Sequence, residues 1–349
     1  MNKDKLYRIA GINIACAFLV FLFNCHIHLH VHYFILTSFI SKGATAMTGF
    51  FMVSGFVLFR LYSKTDFTEQ GTSVLFYKNR IFSFYPLYLA VYLLYLVFFN
   101  WNTLFENLML APIELILLQS FFDSLFPMLH NGGTWFLSCL LFCFIVFPFL
   151  QETIKRLRKY LSSIICLLIG GSILFPFIVS GLGLGSIFSS PFMRLVEFSI
   201  GMIIAATYGG SSRGNFGIKL FMLALTYIVG VTLLNKISIF TNDYPLYNII
   251  SIPIFALSLF WADSCGPCSL DIILKSRFVT LLNKALISFY MAQIFTFPIV
   301  NGLSQNFQKH TNWINLGGAL AINVLIAFVF YYGIEKPARK YLHSKYITG

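Results

Sequence analysis

Charge is what this sequence has least of. Asp, Glu, Lys and Arg make up only 10% of its 349 residues, and just 12 are acidic, against 58% hydrophobic. So few charges cannot cover a water-soluble surface, which excludes a soluble globular fold. The chain also lacks a low-complexity tail, a clear internal repeat and any loop long enough for a soluble domain. Lys3, Lys5 and Arg8 precede the first apolar run as in a signal peptide, but no A-x-A-like cleavage site follows, so a retained first helix is expected. The apolar runs lack two-residue alternation, which excludes a membrane β-barrel. Five of the seven cysteines (Cys16, Cys25, Cys139, Cys143 and Cys166) fall within apolar runs, as small packing residues rather than a disulfide framework. Cys265-Gly-Pro-Cys268 has CxxC spacing, yet no βαβ pattern surrounds it, and it reads as a loop.

What is present is a series of ten long apolar stretches: 9–29, 44–59, 84–99, 134–150, 162–179, 191–207, 216–234, 244–262, 285–302 and 313–332. About 20 apolar residues cross a bilayer core as a helix, and in hydrocarbon each backbone polar group must be satisfied within its own segment. With the N-terminus in the cytoplasm and strict alternation, 20 Lys and Arg residues face the cytoplasm and only Lys42, Lys236 and Lys309 face outward. That is the asymmetry of a correctly assigned topology. An eleventh stretch, 104–122, carries Glu106, Pro112, Glu114 and Gln119 and would break the parity. It reads as a re-entrant or interfacial segment at the outer face. The expectation is an all-α polytopic membrane protein, residues 1–349 forming one domain, with both termini cytoplasmic. The net charge of +12 sits in short loops beside spans, where it sets orientation and meets anionic lipid, and does not point to nucleic acid.

Polar groups inside spans are costly and mark candidate sites. Arg194 and Glu197 are three apart on one helix face, as a mutual ion pair or as the lining of a substrate cavity. Asn13 and Asn24, eleven apart, point in nearly the same direction, about 16 Å apart along a helix. His26, His28, His30 and His32 alternate at the outer end of the first span. On a helix His28 shares a face with Asn24 and His32, while His26 lies opposite. Acidic partners are missing nearby, so no metal site is expected, and His is well suited to proton transfer near neutral pH. Ser54 and Gly55 permit close helix approach. Lys78 and Arg80, before the third span, anchor the helix or grip phosphates.

In order along the chain, FFMVSGF (50–56), YKNRIFSFYPLY (77–88), TWFLSCLLFCFIVFPFL (134–150), RLVEFSIGMIIA (194–205) and EKPARKYL (335–342) resemble the membrane acyltransferase-3 family, which includes O-antigen and other glycan O-acetyltransferases. The resemblance implies ten helices and transfer of an acyl group, acetyl above all, from cytoplasmic acyl-CoA to a hydroxyl of a glycan or lipid-linked saccharide at the inner (plasma) membrane. It implies acetyl-CoA or another acyl-CoA as donor substrate, with no bound cofactor. Tyr85, Trp135 and Glu335 lie in matching pieces and join Asn13, Lys78, Arg80, Arg194 and Glu197 as candidate substrate-binding residues. Three departures stand out. The family's R-x10-H falls on Asn13 and Asn24, and an amide is no base. Its RxxR falls on Arg80 and Ser83, and the acidic residues after the span-four tryptophan are Cys139 and Leu140. Either a neighbouring histidine (His26 or His28) replaces the base, or the acceptor needs less help, or the chain is an inactive relative that binds or moves glycan. The first is favoured, with attack by the acceptor direct rather than through an acyl-enzyme.

Overall fold

The apolar runs fold as helices throughout. The computed structural model describes residues 3–99, 104–122, 132–182, 188–207, 212–237, 244–306 and 312–346. Lys309, Asn131 and the side chain of Glu106 lie outside the described set. The first half contains α1 (Lys3–Leu29), the short α2 (Thr37–Ile40), α3 (Ala46–Leu61), α4 (Thr72–Phe99), α5 (Leu104–Leu115), α6 (Trp135–Arg156) and α7 (Leu161–Gly181). The second half contains α8 (Pro191–Thr207), α9 (Phe216–Leu234), α10 (Asn248–Ser264), α11 (Leu270–Leu274), α12 (Arg277–Lys284), α13 (Leu286–Asn306), α14 (Asn312–Phe330) and α15 (Lys336–Tyr346).

Among the described residues nine helices are long and apolar enough to cross a membrane. The expected sixth span, α8, which carries Arg194 and Glu197, is outside that number because it has only 17 residues. It nevertheless runs from one end of the bundle to the other. Just before it, Ser189 O accepts from Cys139 Sγ near the start of α6 at 3.2 Å. Just beyond it, the Ser212 N–H donates to Ser264 O at the end of α10, 3.2 Å away.

Helices α3 and α8 form the centre of the bundle, with α1, α6 and α10 packed around them. They approach so closely because each presents a glycine to the other. A Cβ on Gly55 would lie 2.0 Å from Phe198 O, and one on Gly201 would lie 2.0 Å from Met52 O. The span containing α3 is 72% buried, whereas those of α7 and α9 are only 17% buried and present their apolar faces to lipid.

Helix α5, with 12 residues, is too short to cross. Leu117 takes φ 58 just after it, and a 3-10 turn Gln119–Phe121 follows. Tyr85 and Tyr88 Oη donate to Leu115 O and Glu114 O at 3.0 and 2.7 Å, and Ser120 Oγ donates to Trp135 O at 2.7 Å. The segment is thus laced onto the middle of α4 and the start of α6, as its interrupted sequence suggests.

Two boundaries differ from expectation. Helix α4 begins twelve residues before the apolar stretch at 84–99, through Lys78-Asn-Arg80. Hydrogen bonding propagates past the apolar stretch because long basic side chains hold their charge in water while their stems stay packed. The last span continues from α14 through a π-turn, Tyr331–Glu335, into the polar α15.

The start of α1 and the terminal α15 lie at one end of the bundle, which collects the basic residues. There Arg8, 1% exposed, donates from Nε and Nη2 to the two oxygens of Asp271, both at 2.6 Å, and also to Cys265 O and Gly266 O at 2.8 and 2.7 Å. This pins the CxxC loop, whose two thiols are free. The Arg8 guanidinium holds the Asp271 carboxyl below its ordinary pKa. Asp263 joins Arg60 and Lys5 at the same end.

Candidate active site

A cavity of about 700 Å³ opens at the basic end between α1, α3, α4, α6, α12, α13 and α15. It brings Asn13, Arg80 and Glu335 together, three of the residues singled out in the sequence. Arg80 lies with its guanidinium 5.3 Å from the ring centre of Tyr62 and 5.7 Å from that of Phe76, and donates to Tyr62 Oη at 2.9 Å. Its Nε has no hydrogen-bond partner, and neither has Asn13 Oδ1, although both atoms are buried. Glu335 is 3% exposed and ends the π-turn that redirects the last helix. Such turns recur at functional sites because they break the regular i→i−4 ladder. Its carboxylate accepts from Ser288 Oγ at 2.6 Å and from Arg339 Nη2 at 2.9 Å. Arg339 also reaches Ser83 O, 3.1 Å away, tying α15 to α4.

Lys284, Arg339 and His343 complete the polar rim. The sequence reading assigned these three no role in the site. Arg339 and His343 sit four and eight residues after Glu335, a helical spacing that puts all three on one face. The contribution of Lys284 had no comparable signal, since α12 reaches the cavity only through the tertiary fold. Lys78 is exposed and does not line it.

Above the cavity, α1 carries one continuous face. Asn13 belongs to the cavity, and Cys16, Ala17 and Val20 line a narrow apolar slot beyond it. One turn further, Asn24 Nδ2 donates to Gln293 Oε1 at 2.8 Å, and the buried Gln293 Nε2 has no partner. A turn beyond that, the His28 ring stacks on Phe297 with centroids 5.0 Å apart and planes at 22°. Asn24 and His28 therefore share a face, as expected, and both meet α13.

His32 does not join them. The helix ends at Leu29, and His30 adopts φ 53, which folds the chain back. His32 then lies beside His26, ring centroids 6.0 Å apart, and His26 Nδ1–H donates to Val31 O at 2.8 Å. Helical spacing was the wrong ruler for His32 because the helix had already stopped. Among the described residues no group of three His, Cys, Asp or Glu side chains is arranged to hold a metal ion.

Arg194 and Glu197 pair with each other instead of lining the cavity. Arg194 Nη1 lies 3.0 and 2.8 Å from the two Glu197 oxygens, and Nε and Nη2 donate to Phe188 O at 3.0 and 2.6 Å. The rings of Phe51, Trp135 and Phe188 surround the guanidinium at 5.6, 5.4 and 4.8 Å. Thr48 Oγ1 and Asn248 Nδ2 reach Glu197 Oε1 at 3.0 and 3.2 Å. Trp135 and Tyr85 likewise make structural contacts away from the cavity.

No curated protein and no solved structure shows significant similarity to this chain. The sequence model of the acyltransferase 3 family, described as an acyltransferase domain, matches residues 5–332, which includes every spanning helix but stops short of EKPARKYL and hence of Glu335 and Arg339. A bundle of apolar helices with a polar cavity at its basic end, matched over nearly its whole length, thus belongs to the acyltransferase 3 family of membrane acyltransferases.

Proposed function

We propose that this protein transfers an acyl group, acetyl in particular, from acetyl-CoA to a hydroxyl of a cell-surface glycan or lipid-linked saccharide at the inner (plasma) membrane. The cavity carries the reading: it lies at the end assigned to the cytoplasm by its basic residues, where acyl-CoA is made, and Arg80, Lys284 and Arg339 converge on it. Arginine forks and a lysine ammonium suit a phosphate-rich donor. Arg80 Nε and Asn13 Oδ1 are the atoms with hydrogen-bonding capacity still to be filled.

The reaction replaces a thioester with an oxygen ester. The acceptor hydroxyl oxygen attacks the thioester carbonyl as its proton passes to a base, and the C–S bond breaks. CoA then leaves as the thiolate and takes up a proton. Asn24, at the position matching the family histidine, cannot serve as the base. His28 is the residue we assign to that role. It lies one turn beyond Asn24 on the same face as the cavity and slot, and among the described residues its ring has no hydrogen-bond partner. His26 faces the other way and is held by Val31 and His32.

The test is the mass of the surface glycan with and without this chain. Each acetyl group adds about 42 Da, a covalent change that mass spectrometry reads directly. Substituting His28→Ala should lower the transfer rate roughly 10²–10⁴-fold, and His26→Ala far less. A glycan of unchanged mass but altered display would point to transport by an inactive relative and overturn the assignment.

A further inference from the structure

Helix α15 contributes Arg339 and His343 to the cavity, and α12 contributes Lys284. Resting on the donor reading above, we propose that Arg339, with Lys284, reads the 3′-phosphate of the donor and so separates CoA from dephospho-CoA. The basic and polar groups of the cavity are layered by exposure. Lys284, Arg339 and His343 are exposed, whereas Arg80 and Asn13 are half-buried, with Arg80 Nε and Asn13 Oδ1 fully enclosed. The first three therefore mark the mouth, and the other two lie deeper. CoA carries its 3′-phosphate on the ribose, at the end opposite the thioester, with the pyrophosphate between. A thioester directed inward, toward the face of α1 that leads to His28, leaves the 3′-phosphate at the mouth. A phosphate monoester bears about −1.5 to −2 charge at pH 7 and offers three strong acceptor oxygens.

Arg339 is held ready for such a group by its neighbours. Its Nη2 donates to Glu335 Oε1 at 2.9 Å and to Ser83 O at 3.1 Å, which fixes the guanidinium between α15 and α4. Its Nε and Nη1 have no acceptor among the described residues. Glu335 is itself held by Ser288 Oγ of α13 at 2.6 Å, at the π-turn where α14 passes into α15. Phe82 and Tyr346, ring centroids 5.8 Å apart, dock the far end of α15 onto α4. A donor already fixed in place loses little freedom when a ligand arrives. Lys284, the last residue of α12, adds an exposed ammonium to the same mouth. A planar guanidinium and a compact ammonium both suit a phosphate, the first by direction and the second as a point charge.

The experiment measures binding of CoA and of dephospho-CoA, which lacks only the 3′-phosphate, to the full-length protein in detergent. Wild-type protein should bind CoA about 10–150-fold more tightly, from charge-assisted hydrogen bonds to that one group. Arg339→Ala should remove most of this ratio by weakening CoA while leaving dephospho-CoA where it was. Arg80→Ala, deeper in the cavity, should weaken both ligands alike and preserve the ratio. Arg339 also pairs with the buried Glu335, so Arg339→Ala can fail to fold. Lys284→Ala then decides, because an exposed side chain can be removed without opening the core. The ratio should fall about threefold in that variant, and an unchanged ratio overturns the proposal. Wild-type protein that binds CoA and dephospho-CoA equally would also overturn it while leaving the donor site standing. An equal loss of both ligands on Arg339→Ala would reduce α15 to a structural part and do the same. Failure of wild-type protein to bind either ligand would sink the donor site itself.

Discussion

Two Arg–Glu pairs in this bundle have opposite surroundings. Arg194 and Glu197 sit on the central helix α8, 3% and 1% exposed, with an acceptor for every guanidinium nitrogen and three aromatic rings around it. Arg339 and Glu335 sit at the rim of a large cavity, one partner buried and the other exposed, with the buried Arg80 Nε nearby lacking an acceptor. The residue types are the same. A closed pair spends its hydrogen-bonding capacity on the fold, because an unmet charge in a low-dielectric interior is very costly. An open cluster keeps capacity for a ligand and relies on water when empty. Charge inside a span is thus a sign of function only where some of its donors remain unspent.

Substitutions can break this contrast. The largest effect is expected in the closed pair: Glu197→Ala leaves Arg194 buried without its counter-charge and should cost about 3–5 kcal/mol of stability, read as a fall in the melting temperature of detergent-purified protein. Donor binding should change only as far as folding does. Arg80→Ala in the open cluster should behave in the reverse way. Losing charge-assisted hydrogen bonds of roughly 1.5–3 kcal/mol should weaken CoA binding about 10–150-fold, with the melting temperature nearly unmoved. A large loss of stability on Arg80→Ala would erase the distinction between the clusters. Lys78→Ala gives the smallest effect. This side chain is exposed and off the cavity, so stability should change by less than about 0.5 kcal/mol, and CoA binding should be unaltered at moderate salt.

Much of the architecture was legible along the chain. Hydropathy located the nine described helices long and apolar enough to cross, and the shorter α8 as well. The parity argument also singled out 104–122 as a segment that does not cross, which α5 bears out with its 12 residues. Gly55 was readable as a point of close approach, but its counterpart Gly201 was not, because a lone glycine in an apolar run carries no mark of what it meets. The site was legible in part. Asn13, Arg80 and Glu335 do share one cavity, while Tyr85, Trp135, Arg194 and Glu197 turn to other partners. Polar character in a span is visible in sequence; whether that polarity is already satisfied is not. The alternating histidines show the limit of periodicity, since the helix ends at Leu29 and the reversal at His30 re-sorts them.

Membrane residence, helical class and family follow from composition and local pattern alone, because transfer of each segment into lipid depends on its own residues and scarcely on its neighbours. The cavity, the slot beyond it, the grouping of Lys284 with Arg339 and the separation of His26 from His28 arise from contacts between segments distant in the chain. Those contacts depend on how the helices cross and where each one stops, and no single stretch of residues contains that information.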